Sequence, residues 1–484
     1  MNQISRTFVL TGLVVIILLA LHLLPPLSIG DTELRHVNVL SDILPEVYQE
    51  RDGIDVIPTP QPPPPPSVVA ETTSHGVGTV HSPGDSTATP AGASALPADT
   101  AAVTARRDGV TLVADYSQGA AGGMAHFYHQ LHTAAGSRPV RIAYYGDSFI
   151  EGDILTCDLR ELLQTRFGGN GVGWVDMTDK LGAFRQTVSR TAKGIKDYEV
   201  VKKPFNPTLQ SMAQRYFTAD EGARVQVKGS KARKHLMQWQ TSTLFFRTAG
   251  GFDVTTMLNG DSVVSRHAEA APHVQGITLT CDTTRRLAYT FSAIAPATYL
   301  YGMALESRHG VILDNLSMRG SAGFTIAQIP QATLNDFARL RPYDLIVLHF
   351  GLNVASDKSH AANYQNYIKR MQQAIEHLRT AYPQASILVV SMPDRDQRTA
   401  AGIRTMKGVE ALVAYQQILA SNCQVAYFNL FEAMGGRESM KALVDRGLAN
   451  KDYTHLSFGG GRKIAHYIYD ALIAGYNDYS HTTH

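Results

Sequence analysis

The sequence predicts an α/β protein whose main domain is a doubly wound parallel sheet interrupted by a β-rich insertion. Apolar strand patterns alternate with amphipathic helical patterns before residue 180 and after residue 297, which favours parallel βαβ units with helices on both faces. Between them, short β-rich runs replace the helices. We therefore expect residues 111–180 and 297–484 to form one domain, and residues 181–296 to form an inserted β-sandwich or jelly-roll module.

The strand and helix patterns can be placed along the chain. In the main domain they are helix Met124–Leu131, strand Val140–Tyr145, helix Leu155–Phe167, strand Asp344–Phe350, helix Tyr364–Tyr382 and strand Ser386–Met392, and Thr405–Leu419, Gln424–Phe428 and Lys463–Ala474 continue the alternation. In the insertion they are the β-rich runs Ser242–Arg247, Phe252–Leu258, Ile277–Thr280 and Leu287–Phe291. The triplet Asn259-Gly260-Asp261 predicts a hairpin. These strands could instead extend the main domain.

The N-terminus carries an apolar stretch, Phe8–Leu24, preceded by Arg6. Its 17 residues are at the short end of the roughly 17–25 that span a bilayer. We expect residues 1–30 to be a signal anchor that leaves the rest of the chain in the periplasm of a bacterial envelope. A cleaved signal peptide, which would leave the protein secreted, is the alternative.

A linker is expected between the anchor and the folded domain. Residues 58–110 contain Pro62–Pro66 followed by Gly, Ser, Thr and Ala, a composition that buries too little apolar surface to offset the entropy of ordering. Residues 31–57 form a short juxtamembrane segment to which no role is assigned.

Charge and cysteine content exclude several classes of protein. The 44 Lys and Arg nearly balance the 42 Asp and Glu, and no dense basic run is interleaved with aromatic residues, so nucleic acid is not an expected partner. The three cysteines, Cys157, Cys281 and Cys423, are far apart and form no metal-binding pattern. Neither a disulfide framework nor a structural zinc site is expected.

Two short motifs contain groups suited to nucleophilic catalysis. Gly146-Asp147-Ser148 follows the predicted strand Val140–Tyr145, where a turn would expose the serine hydroxyl. Asp452-Tyr-Thr-His455 places a carboxylate three residues before an imidazole, so one turn can present both. Each motif alone is more often a plain turn than a catalytic element.

Two further motifs contain candidate hydrogen-bond donors. Asn353, in His349-Phe-Gly-Leu-Asn353, follows a predicted strand and could donate its side-chain N–H to an oxyanion. Gly320 follows the apolar run Gly310–Leu313, and a glycine there would let a backbone N–H approach a substrate closely.

Together, Gly146-Asp147-Ser148, Gly320, Gly351-x-Asn353 and Asp452-x-x-His455 resemble the four blocks of the SGNH (GDSL-like) serine hydrolases, in the family's order. The resemblance covers about 140–168 and 301–470. It implies a flavodoxin-like sheet, a catalytic triad of Ser148, Asp452 and His455, and an oxyanion hole from the Ser148 N–H, the Gly320 N–H and the Asn353 side chain. It implies no metal and no organic cofactor.

The sequence departs from the family pattern at two places. The asparagine block reads Gly-Leu-Asn-Val where Gly-Thr-Asn-Asp/Glu is commoner, which keeps the asparagine but alters its neighbours' hydrogen bonding. The glycine block has rivals to Gly320 in Gly323 and in the run Gly169, Gly171 and Gly173. That run lacks the Lys-Ser/Thr of a phosphate-binding loop.

The expected activity is hydrolysis of O-acetyl groups on an envelope polysaccharide such as peptidoglycan. The arrangement of the insertion is similar to that of bacterial peptidoglycan O-acetylesterases, and Trp239, Phe245 and Phe246 could stack on sugars, although at strand spacing they are more often core residues. A polysaccharide O-acetyltransferase with the same triad is the first alternative. A lipase or phospholipase and a non-catalytic glycan-binding scaffold are the others.

Overall fold

The computed structural model describes residues 28–29, 32–33, 105–120, 122–178 and 184–482. Residues 1–56 and 57–484 are separate units. In the first unit, Ser28–Ile29 (β1) pairs antiparallel with Thr32–Glu33 (β2). The apolar stretch of the predicted anchor and the proline-rich part of the predicted linker lie outside the described residues. Within the part that is described, no helix is both long and apolar enough to cross a membrane.

The second unit contains the other strands and all of the described helices. The strands are Arg106–Arg107 (β3), Val110–Thr111 (β4), Ala114–Asp115 (β5), Pro139–Gly146 (β6), Gly173–Val175 (β7), Val188–Glu199 (β8), Arg215–Gly229 (β9), Trp239–Thr248 (β10), Phe252–Leu258 (β11), Ser262–Ala268 (β12), Ala271–Thr284 (β13), Arg286–Ser292 (β14), Thr298–Glu306 (β15), Gly310–Ser317 (β16), Leu345–His349 (β17), Ser386–Val390 (β18), Asp396–Thr399 (β19), Gly402–Thr405 (β20) and Ala426–Phe428 (β21). The α-helices are Ala125–Thr133 (α1), Thr156–Phe167 (α2), Gln331–Leu340 (α3), Ala361–Ala381 (α4), Val409–Asn422 (α5), Leu430–Met434 (α6), Ser439–Asp445 (α7) and Phe458–Thr482 (α8).

The main domain is built on a mixed sheet with the order β16-β6-β17-β18-β21-β5. The first five strands are parallel and β5 pairs antiparallel at the edge. Numbered by chain position, the parallel strands run 2-1-3-4-5, which is the order of flavodoxin-like doubly wound sheets. Every residue of β17 and of β18 is buried, as expected for strands covered on both faces.

The register of this sheet fixes where its loops emerge. Gly146, the last residue of β6, lies opposite Ser317 of β16 on one side and His349 of β17 on the other. Three strands therefore end level with one another. The loops that follow them are placed at one edge of the sheet, which is where doubly wound sheets bind their ligands.

The insertion is antiparallel, as predicted, but its strands join in one sheet. Nine strands form a continuous ladder with the main path β12-β11-β14-β9-β15-β10-β13, in which β7 adds to β15 and β8 to β9. This near-closed sheet encloses an apolar core of its own, and β15 joins β9 through a single residue pair, Leu300 with Phe217. We call it the β module. It takes in β7 and β15, which lie outside the predicted range 181–296. An apolar run such as β15 does not reveal from its pattern which sheet it joins.

The aromatic residues proposed for sugar stacking belong to the core, so that prediction was wrong for them. Trp239, Phe245 and Phe246 are only 2%, 1% and 1% exposed. Trp239 donates its indole N–H to Ser242 Oγ at 2.7 Å, and Phe245 stacks on Trp174. Phe245 and Phe246 are neighbours on β10 and point into the two different cores, and Trp239, before a register shift in the strand, lies in the same core as Phe246.

A buried ionic network joins the β module to the parallel sheet. Arg341, which follows α3, donates two hydrogen bonds to Asp314 of β16 and one to Glu306 of β15, at 2.6, 2.8 and 2.9 Å. Arg141 of β6 also pairs with Glu306, at 2.7 Å. The two cations hold the pKa of Glu306 down to about 2, although its burial alone would raise that pKa.

Candidate active site

The Ser148 loop begins where β6 passes closest to β17. A side chain at Gly146 would place its Cβ 2.9 Å from the His349 carbonyl oxygen and 2.8 Å from Ile150, so a glycine is needed for this approach. The next residue, Asp147, accepts a hydrogen bond from the Phe149 N–H at 2.9 Å, which closes a tight turn. Ser148 is on that turn and is half-buried, with its hydroxyl directed at His455.

The structure brings Ser148, His455 and Asp452 together in one chain of hydrogen bonds. Ser148 Oγ is 2.9 Å from His455 Nε2, and His455 Nδ1 is 2.8 Å from Asp452 Oδ2. A proton on Nδ1 satisfies the carboxylate and leaves the Nε2 lone pair facing the serine. Ser148 and His455 are 307 residues apart in sequence, so only the fold makes this contact.

The turn that carries Asp452 and His455 is held by the same carboxylate. Asp452 Oδ1 accepts the backbone N–H groups of Thr454 and His455, both at 3.0 Å, and Tyr453 has a positive φ of 53°. Partial burial would raise the pKa of Asp452, but these two amides and the imidazole lower it below its ordinary value. The carboxylate therefore stays charged beside the imidazole at neutral pH.

Asn353 and Gly320, the two oxyanion-hole donors predicted outside the Ser148 loop, lie in loops that are joined by a hydrogen bond. Asn353 donates its side-chain N–H to the Ser321 carbonyl at 3.0 Å, and Ser321 directly follows Gly320. An amide nitrogen carries two N–H groups, so one is left after this bond. Gly320 is exposed, has φ +80°, and has no heavy atom within 4 Å of where a Cβ would be.

The rival glycines are used for packing. A Cβ at Gly323 would lie 2.7 Å from Phe350, and at Gly169, Gly171 and Gly173 it would lie 2.6, 2.3 and 2.3 Å from groups on β15 and β16. Of these glycines, Gly320 has open space in front of it. Its position matches the predicted glycine block.

Sequence reasoning assigned no role to two polar residues at this edge. Burial raises the pKa of Asp147 to about 6, against opposing hydrogen bonds from the backbone amides of Phe149, Leu352 and Gly351. Arg395 donates to the Leu352 carbonyl at 3.0 Å, next to Asn353. Its position after β18 is a usable signal, because functional side chains gather at the carboxyl ends of parallel strands.

A polar cleft of about 210 Å³ opens beside the Ser148 loop, between the sheet edge and the β module. Its walls include Glu151 from the loop after Ser148, Arg319 next to Gly320, and Lys202 and Arg215 from the β module. Arg319 Nε donates to Glu151 Oε2 at 2.5 Å across it. The main domain and the β module thus both line this cleft, and among the described residues its walls do not include Ser148, Asp452 or His455.

The model of the GDSL-like Lipase/Acylhydrolase family matches residues 293–460. The matched stretch contains Gly320, Asn353, Asp452 and His455, and the fold adds Ser148 to them through its hydrogen bond to the imidazole. Residues 293–460 are therefore similar to the GDSL-like lipase/acylhydrolase family. The resemblance to SGNH hydrolases is confirmed.

One solved structure shares the fold of this chain. A peptidoglycan O-acetylesterase is similar with a TM-score of 0.61 and 21% identity, over 76% of this chain and 99% of that chain. Two weaker similarities are a family two carbohydrate esterase from Clostridium thermocellum (TM-score 0.24, 12% identity, 54% of this chain and 95% of that one) and CsCBM6-3 from Clostridium stercorarium (TM-score 0.17, 7% identity, 24% and 85%). No curated protein matched the sequence.

Proposed function

We propose that this chain is a serine esterase that removes O-acetyl groups from a cell-envelope polysaccharide. The observation that carries the proposal is the unbroken chain of hydrogen bonds from Ser148 through His455 to Asp452. It is the arrangement that acyl transfer by a serine requires, since a hydroxyl is a weak nucleophile until a base removes its proton.

The mechanism has two halves. His455 Nε2 takes the Ser148 proton as Oγ attacks the ester carbonyl, and the imidazolium is stabilised by the Asp452 carboxylate. The Ser148 N–H, the Gly320 N–H and the remaining Asn353 N–H hold the oxyanion. The alcohol leaves with the proton from His455, and a water activated by the same imidazole then releases the acid.

The residues that line the cleft favour a polar substrate with a short acyl group. Charged side chains such as Glu151, Arg319 and Lys202 line this cleft, which begins at the turn that follows Ser148. A long acyl chain would gain about 0.8 kcal/mol for each methylene buried against apolar surface, and among the described residues that line the cleft only Val201 has a large apolar side chain. The hydroxyl groups of a sugar can instead replace their hydrogen bonds to water with hydrogen bonds to these charged side chains. The fold likeness to a peptidoglycan O-acetylesterase supports the same substrate class.

The exposure of the triad favours hydrolysis over transfer to a sugar. The side chains of His455 and Asp452 are 31% and 49% exposed, so water can reach the acyl-enzyme. We also propose an envelope location, with the domain outside the cytoplasmic membrane. It is supported by the apolar Phe8–Leu24 stretch and the proline-rich linker of the sequence.

The test is acetate release from O-acetylated peptidoglycan by the full chain. The unmodified chain should release acetate, and Ser148→Ala should lower the rate by about 10³-fold or more. Ser421→Ala, at a half-buried serine near the end of α5, is the matched control and should keep the full rate. Equal rates for Ser148→Ala and Ser421→Ala would refute the assignment. Acetate recovered on an added sugar, instead of in solution, would favour the acetyltransferase alternative.

A further inference from the structure

The β module contains a second pocket, of about 580 Å³, that is lined by cationic side chains. Lys228 lies on β9, Lys231 follows that strand, and Arg285 lies between β13 and β14. No Asp or Glu is among the described residues that line it. Pockets of one charge sign raise the local concentration of oppositely charged ligands.

The three cations are available to a ligand. Lys228, Lys231 and Arg285 are exposed, and none of them forms an ion pair with another described residue. Arg285 Nη2 lies 3.4 Å from the neutral amide oxygen of Gln238. These three cations belong to a region with an excess of positive charge. Residues 184–306 contain 16 Lys and Arg and 9 Asp and Glu, which gives a net charge of +7. The remainder of the chain is then −5, since the whole carries +2.

The other lining groups suit a sugar chain better than a nucleic acid. Ser189 brings a hydroxyl, and the 42% exposed Met237 brings an apolar surface for a sugar face. No aromatic ring is among the described lining residues, whereas single-stranded nucleic acids are held by base stacking on such rings. Ion pairs and hydrogen bonds would therefore supply the affinity.

Arg185 links the basic pocket to the segment that follows Ser148. Arg185 lines both this pocket and the cleft beside Ser148. Its guanidinium pairs at 2.9 Å with Asp153, a fully buried carboxylate five residues after Ser148. Thr187 donates to the same carboxylate. A polymer bound in the basic pocket thus lies next to Arg185, which also forms part of the wall of the cleft near the Ser148 loop.

We propose that this basic pocket binds an acidic polysaccharide through its carboxylate or phosphate groups. The site holds the polymer outside the catalytic centre. It goes beyond the proposed esterase activity, and it stands whether or not Ser148 hydrolyses the ester.

The test measures binding by calorimetry to the full chain carrying Ser148→Ala, so that turnover cannot alter the ligand. The probes are an oligogalacturonate, the same oligomer with its carboxyl groups reduced to alcohols, and a phosphomannan oligosaccharide. Binding of either acidic probe should exceed that of the neutral one and should weaken as salt rises from about 0.03 M to about 0.3 M. The two acidic probes distinguish carboxylate from phosphate as the preferred group.

Two double variants with equal charge change locate the site. Lys228→Gln with Lys231→Gln should weaken binding of the acidic probe about 3- to 20-fold. Lys193→Gln with Lys196→Gln, on β8 at least about 13 Å along the strand from Ser189, should leave it unchanged. Equal loss in both pairs, equal binding of the neutral oligomer, or no binding of either acidic probe would overturn the proposal.

Discussion

Two carboxylates in the second unit show how burial and partner decide what a charged pair does. Asp452 is 49% exposed and pairs with the His455 imidazole, whose other ring nitrogen faces Ser148 Oγ. Asp314 is completely buried and pairs with the Arg341 guanidinium, which keeps its proton. The first pair is suited to proton transfer at the sheet edge. The second is suited to fixing the β module against the sheet.

The largest expected effect is on the exposed pair. Asp452→Asn keeps the size of the side chain but removes the charge that stabilises the imidazolium, and it can favour the wrong tautomer of His455. We expect kcat to fall by about 10⁴-fold, or about 5.5 kcal/mol, with little change in the melting temperature. Ester hydrolysis and thermal unfolding, measured on the same preparation, check both parts.

The control for that variant is Asp282→Asn. Asp282 is 98% exposed on the β module and pairs with Arg308. It should leave both the rate and the melting temperature unchanged. A fall in stability of Asp452→Asn as large as its fall in rate would mean that this carboxylate is structural.

The buried pair should behave in the opposite way. Arg341→Met leaves Asp314 and Glu306 buried without this cation, and removing one partner of a buried ion pair costs about 3–5 kcal/mol of the free energy of unfolding. Arg308→Met, at the exposed pair with Asp282, should cost about 0–1 kcal/mol. Urea denaturation measures both. Equal costs for the two variants would remove the distinction between buried and exposed pairs.

The oxyanion donors predict a smaller effect that is confined to catalysis. Asn353→Ala removes a donor that acts on the transition state, so kcat should fall by about 10²- to 10³-fold while KM changes little. A rise in KM with kcat unchanged would instead assign Asn353 to substrate binding. Steady-state kinetics with an aryl acetate separates the two outcomes.

A third kind of carboxylate, buried without a cation, should make stability depend on pH. Burial, and then the charge of Asp396, raise the pKa of Asp394 from 3.8 to about 6, against hydrogen bonds from Met440 and Thr405. A raised pKa in the folded state stabilises the protein fully below pH 3.8, and this contribution is lost as pH rises through about 6.

Asp394→Asn should therefore flatten the loss of stability between pH 4 and pH 7. The change is at most about 3 kcal/mol, and less because Asp396 shares the titration. Urea denaturation of both proteins at the two pH values measures it. Parallel stability curves for the variant and the unmodified chain would contradict the raised pKa.

The same comparison explains what the sequence could predict. Asp452 and His455 are three residues apart, so one motif suggests their pairing, and the level ends of β6, β16 and β17 follow from the parallel-sheet prediction. Arg341 reaches Asp314 across 27 residues and Glu306 across 35, and no periodicity marks such pairs. The inclusion of β7 and β15 in the β module was missed for a related reason, because strand patterns give faces but not partners.

The fate of individual residues follows the same physical logic. Trp239 and Phe245 are residue types that often stack on sugars. Burial of their large apolar surfaces stabilises the core instead, and only the fold determines whether they are exposed. Gly320 and Gly323 look alike in sequence. The packing of Phe350 against Gly323 and the open space at Gly320 separate them.

The central claim is that Ser148 is the nucleophile activated by His455. Its most direct measurement is labelling of the full chain with a serine-directed fluorophosphonate, followed by mass spectrometry of its peptides. We predict one label, on Ser148, that is lost in the His455→Gln variant while an unrelated surface variant such as Asp282→Asn keeps it. A label on another serine, or ester hydrolysis that continues with Ser148 unlabelled, would contradict the account.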